Sequence, residues 1–179
     1  MSVRSHVISV DERQAVWQLM SRTTDAIRKV RDRELERYGI SARANAVLFT
    51  ALRQGRKATP ASVAQELILQ PHTVSEQLMR LEKEGLIERL KDTKRKNVVR
   101  IRVTGVGWEL YRKTAVRRSS AGIMGALNAD ERKVLWTIMA KLRSEAARSL
   151  HVDVKDLYPP SDQTVFTPRQ GRYAIQDDP

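Results

Sequence analysis

The 179-residue sequence contains no cysteine. This excludes disulfide bonds, thiolate metal sites and a cysteine redox switch. Its three histidines, His6, His72 and His151, are too far apart in sequence to form a local metal motif, although a site assembled from distant residues stays open. Aromatic residues make up only 5% of the chain, which argues against a large aromatic ligand cage. We therefore expect no cofactor and no metal.

Long apolar runs are also missing. None approaches the roughly 18 to 20 residues that a membrane-spanning helix needs, and the first residues, MSVRSHVISVDERQ, lack the apolar centre of a signal peptide. We find no nucleophile with a partnered base and no phosphate-binding loop; the pair Gly105 and Gly107 lacks the third glycine of a nucleotide motif. We expect a cytoplasmic protein that is not an enzyme and has no membrane partner.

Basic residues are abundant. The formal net charge is +12 and the pI is about 10.5, so a polyanion such as nucleic acid is the first partner to consider. Residues 80–118 hold thirteen Lys or Arg against five acids, which is a surplus of eight out of the chain's twelve. A surplus this local is typical of a docking surface, since lysine and arginine side chains beside duplex phosphates release condensed counterions.

Apolar residues recur with helical spacing through the first half of the chain, which predicts helices at 11–38, 41–54, 59–68 and 71–84. Ser41 and Thr59 are the expected N-caps, and Pro60 and Pro71 occupy first helical positions. The last two helices, joined by a short turn, have the arrangement of a helix-turn-helix. On the second of them one arc is apolar and faces the core, while the opposite arc is polar and faces outward.

After Gly85 the apolar period falls to about two, which predicts strands at 86–91 and 98–103 joined by the basic loop DTKRKN. A helix-turn-helix followed at once by a hairpin is a winged helix. Thr104 then caps a predicted helix that runs to about Arg118. Another begins at Asp130 with an apolar stripe, after the small-residue stretch SSAGIMGALN. From Tyr158 the composition predicts an irregular tail.

Four stretches in this order carry a family resemblance: YGISARANAVLFTAL, SVAQELILQPHTVSEQLMRLEKEGLIER, VRIRVTGVGWEL and LNADERKVLWTIMAKL. In turn they resemble the second-helix entry, the helix-turn-helix with the first wing strand, the second wing strand with its Thr-x-x-Gly-x-x-Leu, and the closing dimerisation helix of the MarR family of winged-helix transcriptional regulators. The last motif falls here on Thr104, Gly107 and Leu110. The likeness covers roughly residues 11–150.

The resemblance implies a mainly α (α+β) fold with a winged helix-turn-helix core and N- and C-terminal dimerisation helices. Its divisions would be residues 1–40 for the N-terminal arm and dimerisation helix, 41–104 for the DNA-binding core, 105–157 for the C-terminal dimerisation helices and 158–179 for the tail. It also implies a homodimer on a pseudo-palindromic operator in double-stranded DNA, probing two major grooves with its recognition helices. A repressor released by a small aromatic or acyl effector is the expected function.

Candidate DNA contacts follow from the helix arc, the basic loop and the resemblance. In the recognition helix they are Pro71, His72, Thr73, Ser75, Glu76, Gln77 and Arg80, and in the wing Lys94, Arg95, Lys96, Asn97 and Arg100. The sequence departs from the family in two places. The wing pattern Asp-x-Arg is not met, because Arg95 and Asn97 stand at its two positions. Glu76 stands where an arginine is frequent, which suggests a different operator, since a carboxylate can accept from cytosine.

Large aromatic side chains provide a candidate effector pocket at Trp17, Trp108 and Tyr111. Residues of this size at helical spacing are also typical of core or dimer-interface packing. Two other functions compete with an effector-released repressor: an effector-independent or architectural DNA-binding regulator, and a basic RNA-associated winged-helix protein. Duplex preference and ligand-dependent melting temperature would separate the three.

Overall fold

The structure, a computed structural model, describes residues 10–92, 97–115, 118–153, 155, 157 and 159. It contains seven helices and a two-stranded antiparallel sheet in this part of the chain. Their bounds are α1 Val10–Glu36, α2 Ala42–Gln54, α3 Pro60–Leu67, α4 Pro71–Lys83, β1 Ile87–Lys91, β2 Val99–Val103, α5 Gly105–Thr114, α6 Arg118–Met124 and α7 Ala129–Ser149, with a 3-10 turn at Gly55–Lys57 after α2. The predicted arm and tail, residues 1–9 and most of 158–179, lie outside the described residues.

The helix starts follow from side chains that satisfy free backbone N–H groups. Ser41 accepts from the Ala44 N–H, and Thr59 forms a reciprocal capping box with Ser62. Thr104 accepts from the Gly107 N–H at 3.1 Å, which starts α5 directly after β2. These three predicted caps are confirmed. Asn128 caps α7 in the same way, with Glu131 completing the box.

The core is formed by α2, α3 and α4 together with the sheet and the C-terminal end of α1. Its most buried large side chains are Leu35, Val47, Leu48, Val63, Val74, Leu78, Leu81 and Ile87. In the sheet, Ile87 pairs with Val103 and Arg89 with Ile101. The free edge of β2 is partly covered, because the Ile101 N–H donates to the Ala58 carbonyl at 3.0 Å.

Helix α6 was not predicted. It lies mostly in the small-residue stretch SSAGIMGALN, for which no helix or strand was predicted, and glycine is a weak helix former. The structure fixes it from outside, because the side chain of Glu34 on α1 accepts hydrogen bonds from both the backbone N–H, at 3.3 Å, and the hydroxyl of Ser119.

The two long helices are poorly covered by the rest of the protomer. Residues 11–19 of α1 are all exposed. In α7, all of which the structure describes, Ala147 alone is buried. None of the helices in the described part of the chain is long and apolar enough to cross a membrane.

Candidate nucleic-acid interface

Helix α4 presents a polar face beside the hairpin. Val74, Leu78 and Leu81 on its inner face are almost fully buried. The predicted DNA-contacting residues on its outer face are exposed, except that Thr73 is half-buried: Pro71, His72, Ser75, Glu76 and Arg80. The arrangement predicted for this helix is therefore confirmed for these residues, and they form one solvent-facing row.

Gln77 departs from the predicted set. Its exposed fraction is only 8%, although it was expected at the flank of the outer face. It follows one turn after the buried Val74, so its side chain lies on the packed side of the helix. A side chain that is not presented to solvent cannot reach a base edge without rearrangement, and Gln77 is left out of the proposed contacts.

An ion pair fastens β1 to α4. Arg89 donates from its Nε to Glu82 at 2.7 Å, and its backbone N–H donates to the same carboxylate at 3.3 Å. The hydrogen bond from Arg89 is the largest cause that lowers the pKa of Glu82, and the same bond raises the pKa of Arg89. Both groups are therefore charged at neutral pH, and the contact sets the hairpin against the end of α4.

The predicted wing residues fall in two groups. Lys94, Arg95 and Lys96 lie outside the described residues, whereas Asn97 is exposed. Arg100 is half-buried: its Nε donates to Asp92 at 2.6 Å and its Nη1 donates to the Lys57 carbonyl at 3.2 Å. Arg100 was expected to contact DNA, but its guanidinium is already engaged with two protein groups.

Sequence reasoning missed the basic 3-10 turn that lies beside the hairpin. Arg56 and Lys57 are exposed there, and the backbone of the turn is held by β2. The available signal was a pair of basic residues directly after Gly55, the residue that ends α2. This pair does not by itself indicate a place beside the wing, because the turn and the hairpin are distant in sequence and meet only in the tertiary fold.

A cavity of about 330 Å³ lies between α1, α2 and α6. Its lining includes Ile27 and Arg31 from α1, Asn45 and Phe49 from α2, and Ser119 from α6. The apolar part comes from isoleucine, alanine and phenylalanine side chains, and the polar part comes from the guanidinium, the amide and the hydroxyl. A molecule held in this open cavity would contact both apolar side chains and polar groups, so it is the candidate effector site of the described residues.

The predicted pocket aromatics do not line this cavity. Trp17 is 61% exposed on the uncovered half of α1. Trp108 stacks on Tyr111 with ring centroids 5.6 Å apart, and Tyr111 stacks on Phe49 at 5.7 Å. Only Phe49 of this stack lines the cavity. The two α5 aromatics therefore pack against Phe49 and each other, outside the cavity lining, as large side chains at helical spacing often do.

Polar contacts beside the cavity join α1 to the α5–α6 connection. Arg31 donates to the Thr114 carbonyl at 2.8 Å and to Glu34 at 2.6 Å. The hydrogen bond from the Ser119 hydroxyl, followed by that from Arg31, lowers the pKa of Glu34 to about 2. Glu34 is therefore ionised at any physiological pH. The buried Thr114 hydroxyl in turn donates to Asn45 at 2.8 Å.

Solved structures of transcriptional regulators have a similar architecture. The organohalide-sensing transcriptional regulator RdhR-CbdbA1625, in its 2,4-dichlorophenol-bound form, is 25% identical, with 89% of this chain and 98% of that chain covered and a TM-score of 0.75. A mutant MarR from E. coli complexed with operator DNA is 21% identical, with 72% and 93% covered and a TM-score of 0.66. A MarR-family regulator from Rhodococcus sp. RHA1 is 20% identical, with 78% and 96% covered and a TM-score of 0.62.

The chain has the MarR-family fold. The predicted mainly α winged-helix fold and the family resemblance are thus confirmed, and α3, α4 and the β1–β2 hairpin form the winged helix-turn-helix of that fold. No protein-family model and no curated protein sequence matches the chain.

Proposed function

We propose that this protein is a DNA-binding transcriptional regulator that acts as a homodimer on a pseudo-palindromic operator. The observation that carries the proposal is the solvent-facing polar row of α4 beside a hairpin whose connecting sequence is basic. Ser75, Glu76 and Arg80 can hydrogen-bond to base edges in a major groove, and basic residues at the wing can neutralise phosphates. Solved neighbours include a MarR and a MepR in complexes with DNA, which supports this reading.

A homodimer accounts for the uncovered helices. Five large apolar residues of α7 are between 37% and 60% exposed: Val134, Leu135, Ile138, Met139 and Leu142. Val16, Trp17 and Leu19 on α1 are at least 60% exposed. Contiguous apolar faces of this size on a monomer are typical of protein interfaces. Binding to two half-sites of an operator requires that this pairing set the two α4 helices about 34 Å apart, one turn of duplex.

Regulation by a small molecule is supported by the cavity between α1, α2 and α6. One solved neighbour holds 2,4-dichlorophenol and another holds p-coumaroyl-CoA. A ligand in the cavity would act by binding one spacing of the two α4 helices more tightly than another, since only differential affinity shifts a conformational equilibrium. We propose release of a repressor by such a ligand, a cytoplasmic location and no enzymatic activity.

Footprinting of the purified protein on the promoters of its own and adjacent genes tests the DNA-binding proposal. We expect a protected palindrome at moderate salt, with about 10- to 100-fold weaker specific binding by Arg80→Gln. Arg148→Gln, which removes an exposed arginine from α7 and lies outside residues 80–118, is the control. Equal or better binding to structured RNA, or no sequence preference at all, would contradict the proposal and favour the competing functions.

Thermal-shift screening with chlorophenols, aromatic carboxylates and acyl thioesters tests the effector. A ligand that binds only the folded protein at 100 times its Kd stabilises it by about 2.7 kcal/mol. Ala46→Leu adds three carbon atoms to the cavity lining and should weaken the shift by obstructing the cavity, while DNA binding without ligand is retained. A ligand that shifts the melting temperature of both proteins equally binds elsewhere.

A further inference from the structure

One guanidinium joins three segments at the end of the hairpin. Arg100 on β2 donates to the carboxylate of Asp92, the residue that follows β1, and to the carbonyl of Lys57 in the 3-10 turn, at 2.6 and 3.2 Å. The Asp92 N–H also donates to the Val98 carbonyl at 2.8 Å. We call the contacts among Asp92, Arg100 and the Lys57 carbonyl the wing brace.

The wing brace is shielded from water more than a surface ion pair is. The side chain of Asp92 is 12% exposed and that of Arg100 is 30% exposed. A charge-assisted hydrogen bond between such groups is strong, and loss of one partner leaves the other charge poorly solvated. The next residue along β2, Ile101, donates its N–H to the Ala58 carbonyl. Two successive residues of β2 therefore hold the same short segment.

A neighbouring ion pair in the same hairpin lacks these features. Arg102 pairs with Glu88 directly across the sheet, and the two side chains are 62% and 47% exposed. Both residues belong to the hairpin itself, so their pairing does not attach it to another segment. Exposed pairs of this kind contribute little. The hairpin thus offers an internal control with the same two charges.

The position of the wing brace gives it a role in DNA binding. An isolated two-stranded hairpin is marginally stable, so its direction must be fixed by contacts with the rest of the protein. In sequence, Asp92 and Arg100 flank the basic tip residues 94–96, and the family's Asp-x-Arg pattern is absent between them. Phosphate contacts from a wing are useful only if the wing is held in register with the recognition helix.

We propose that Asp92 and Arg100 are positioning residues, which fix the wing against the 3-10 turn, and that Arg100 supports DNA binding through this brace without itself contacting a phosphate. The proposal rests on the DNA-binding function proposed above. It assigns a role to Asp92, which sequence reasoning left unassigned, and changes the role of Arg100.

The substitution Asp92→Ala separates positioning from simple electrostatics. It removes a negative charge beside the wing, so electrostatics alone predicts tighter DNA binding. The wing brace predicts the opposite: about tenfold weaker operator binding by Asp92→Ala and by Arg100→Gln, with the double variant no worse than Arg100→Gln alone. Glu88→Ala and Arg102→Gln change the same charges in the same hairpin and should alter affinity by less than about threefold.

Hydrogen exchange of the Ile101 amide tests the brace without DNA. Exchange should be faster in Asp92→Ala and Arg100→Gln than in the wild-type protein, and unchanged in both Glu88 and Arg102 variants. If Asp92→Ala does not fold, Asp92→Asn, which preserves the side-chain shape, takes its place. If the wild-type protein binds no duplex, the proposed function fails, and the exchange rates alone then decide whether the brace exists.

Two results would overturn the proposal. Unchanged exchange at Ile101 in both brace variants would mean that the contacts do not hold the hairpin. Normal or tighter binding by Asp92→Ala, combined with a salt slope reduced by about 0.9 per protomer in Arg100→Gln, would make Arg100 a direct phosphate contact.

Discussion

Gly107 lies where α5 approaches the backbone of Leu86, the residue directly before β1. A Cβ atom at this position would be 2.1 Å from the carbonyl oxygen of Leu86 and 2.8 Å from a methyl group of Val103. A backbone oxygen cannot rotate away as a side chain can, so the requirement for glycine here is steric. This gives a physical reason for the glycine of the Thr-x-x-Gly-x-x-Leu stretch.

We expect Gly107→Ala to destabilise the protein by about 1 to 3 kcal/mol, because α5 must move away from the hairpin. Gly105→Ala is the matched control, since a Cβ there meets nothing within 4 Å and the position also lies at the start of α5. Urea unfolding of both variants measures the difference. Equal free energies of unfolding of the two variants would show that the close approach of α5 to Leu86 does not require a glycine.

Glu34 should make the stability of the protein depend on pH. Hydrogen bonds from Ser119 and Arg31 lower its pKa from 4.5 to about 2 in the folded protein. A lowered folded pKa contributes stability above the unfolded pKa, and that contribution is lost as the pH falls toward 2. We expect Glu34→Gln to cost about 1 to 2 kcal/mol at pH 7 and progressively less between pH 4.5 and pH 2.

Urea unfolding of wild type and Glu34→Gln at pH 7 and pH 3 measures this change. Glu36→Gln, at the exposed C-terminal end of α1, controls for the removal of an acidic charge from the same helix and should have little effect. A Glu34→Gln cost that is the same at both pH values would contradict the ionic origin of the contact.

At the scale of elements, sequence reasoning succeeded where the cause is local. Ser41, Thr59 and Thr104 cap helices by accepting hydrogen bonds from backbone N–H groups three positions ahead, so a short stretch of sequence is enough to predict their roles. It failed where the partner is distant in sequence. Helix α6 depends on Glu34, which lies 85 residues before Ser119, and the position of Arg100 depends on Lys57.

The candidate site shows the same difference between residues whose position has a local cause and residues whose position depends on distant partners. The apolar and polar arcs of α4 follow from helical periodicity, and Val74 and Arg80 were predicted on the correct sides. Gln77 lies at the boundary between the arcs, where the packing of neighbouring elements decides its exposure. The cavity is formed by three helices that are separate in sequence, so no single window contains its lining.

Helix α7 carries a prediction about assembly. Ile138 is 50% exposed in the middle of its apolar stripe, and a glutamate there would be buried in a homodimer that pairs through this stripe. We expect Ile138→Glu to raise the dimer Kd about a hundredfold or more, which is about 3 kcal/mol. Analytical ultracentrifugation measures it. Thr137→Glu, an exposed neighbour on the other side of the helix, should leave the Kd nearly unchanged, and an equal effect of both would contradict the assignment of the stripe.

At the scale of the whole molecule, the net charge of +12 should raise the affinity for any duplex more than it favours one base sequence over another. Counterion release on phosphate contact is independent of base sequence, whereas the exposed row of α4 can discriminate between bases. The two surfaces therefore predict different responses to mutation. Loss of wing charge should weaken binding to every duplex in parallel, and loss of an α4 contact should narrow the gap between operator and random DNA.

The triple substitution of Lys94, Arg95 and Lys96 to alanine tests this division. If each lysine or arginine contacts one phosphate, the slope of log K against log salt should flatten by about 0.9 per lost contact, or about 5 for a dimer. The triple substitution of Lys133, Arg148 and Lys155, three exposed basic residues outside the wing, removes the same charge and should leave the slope nearly unchanged. Titrations from about 50 to 200 mM salt, on operator and on scrambled duplex, measure both quantities. A collapse of operator preference at constant slope would make the wing a reader of bases or groove shape, and would shift sequence recognition from α4 toward the hairpin.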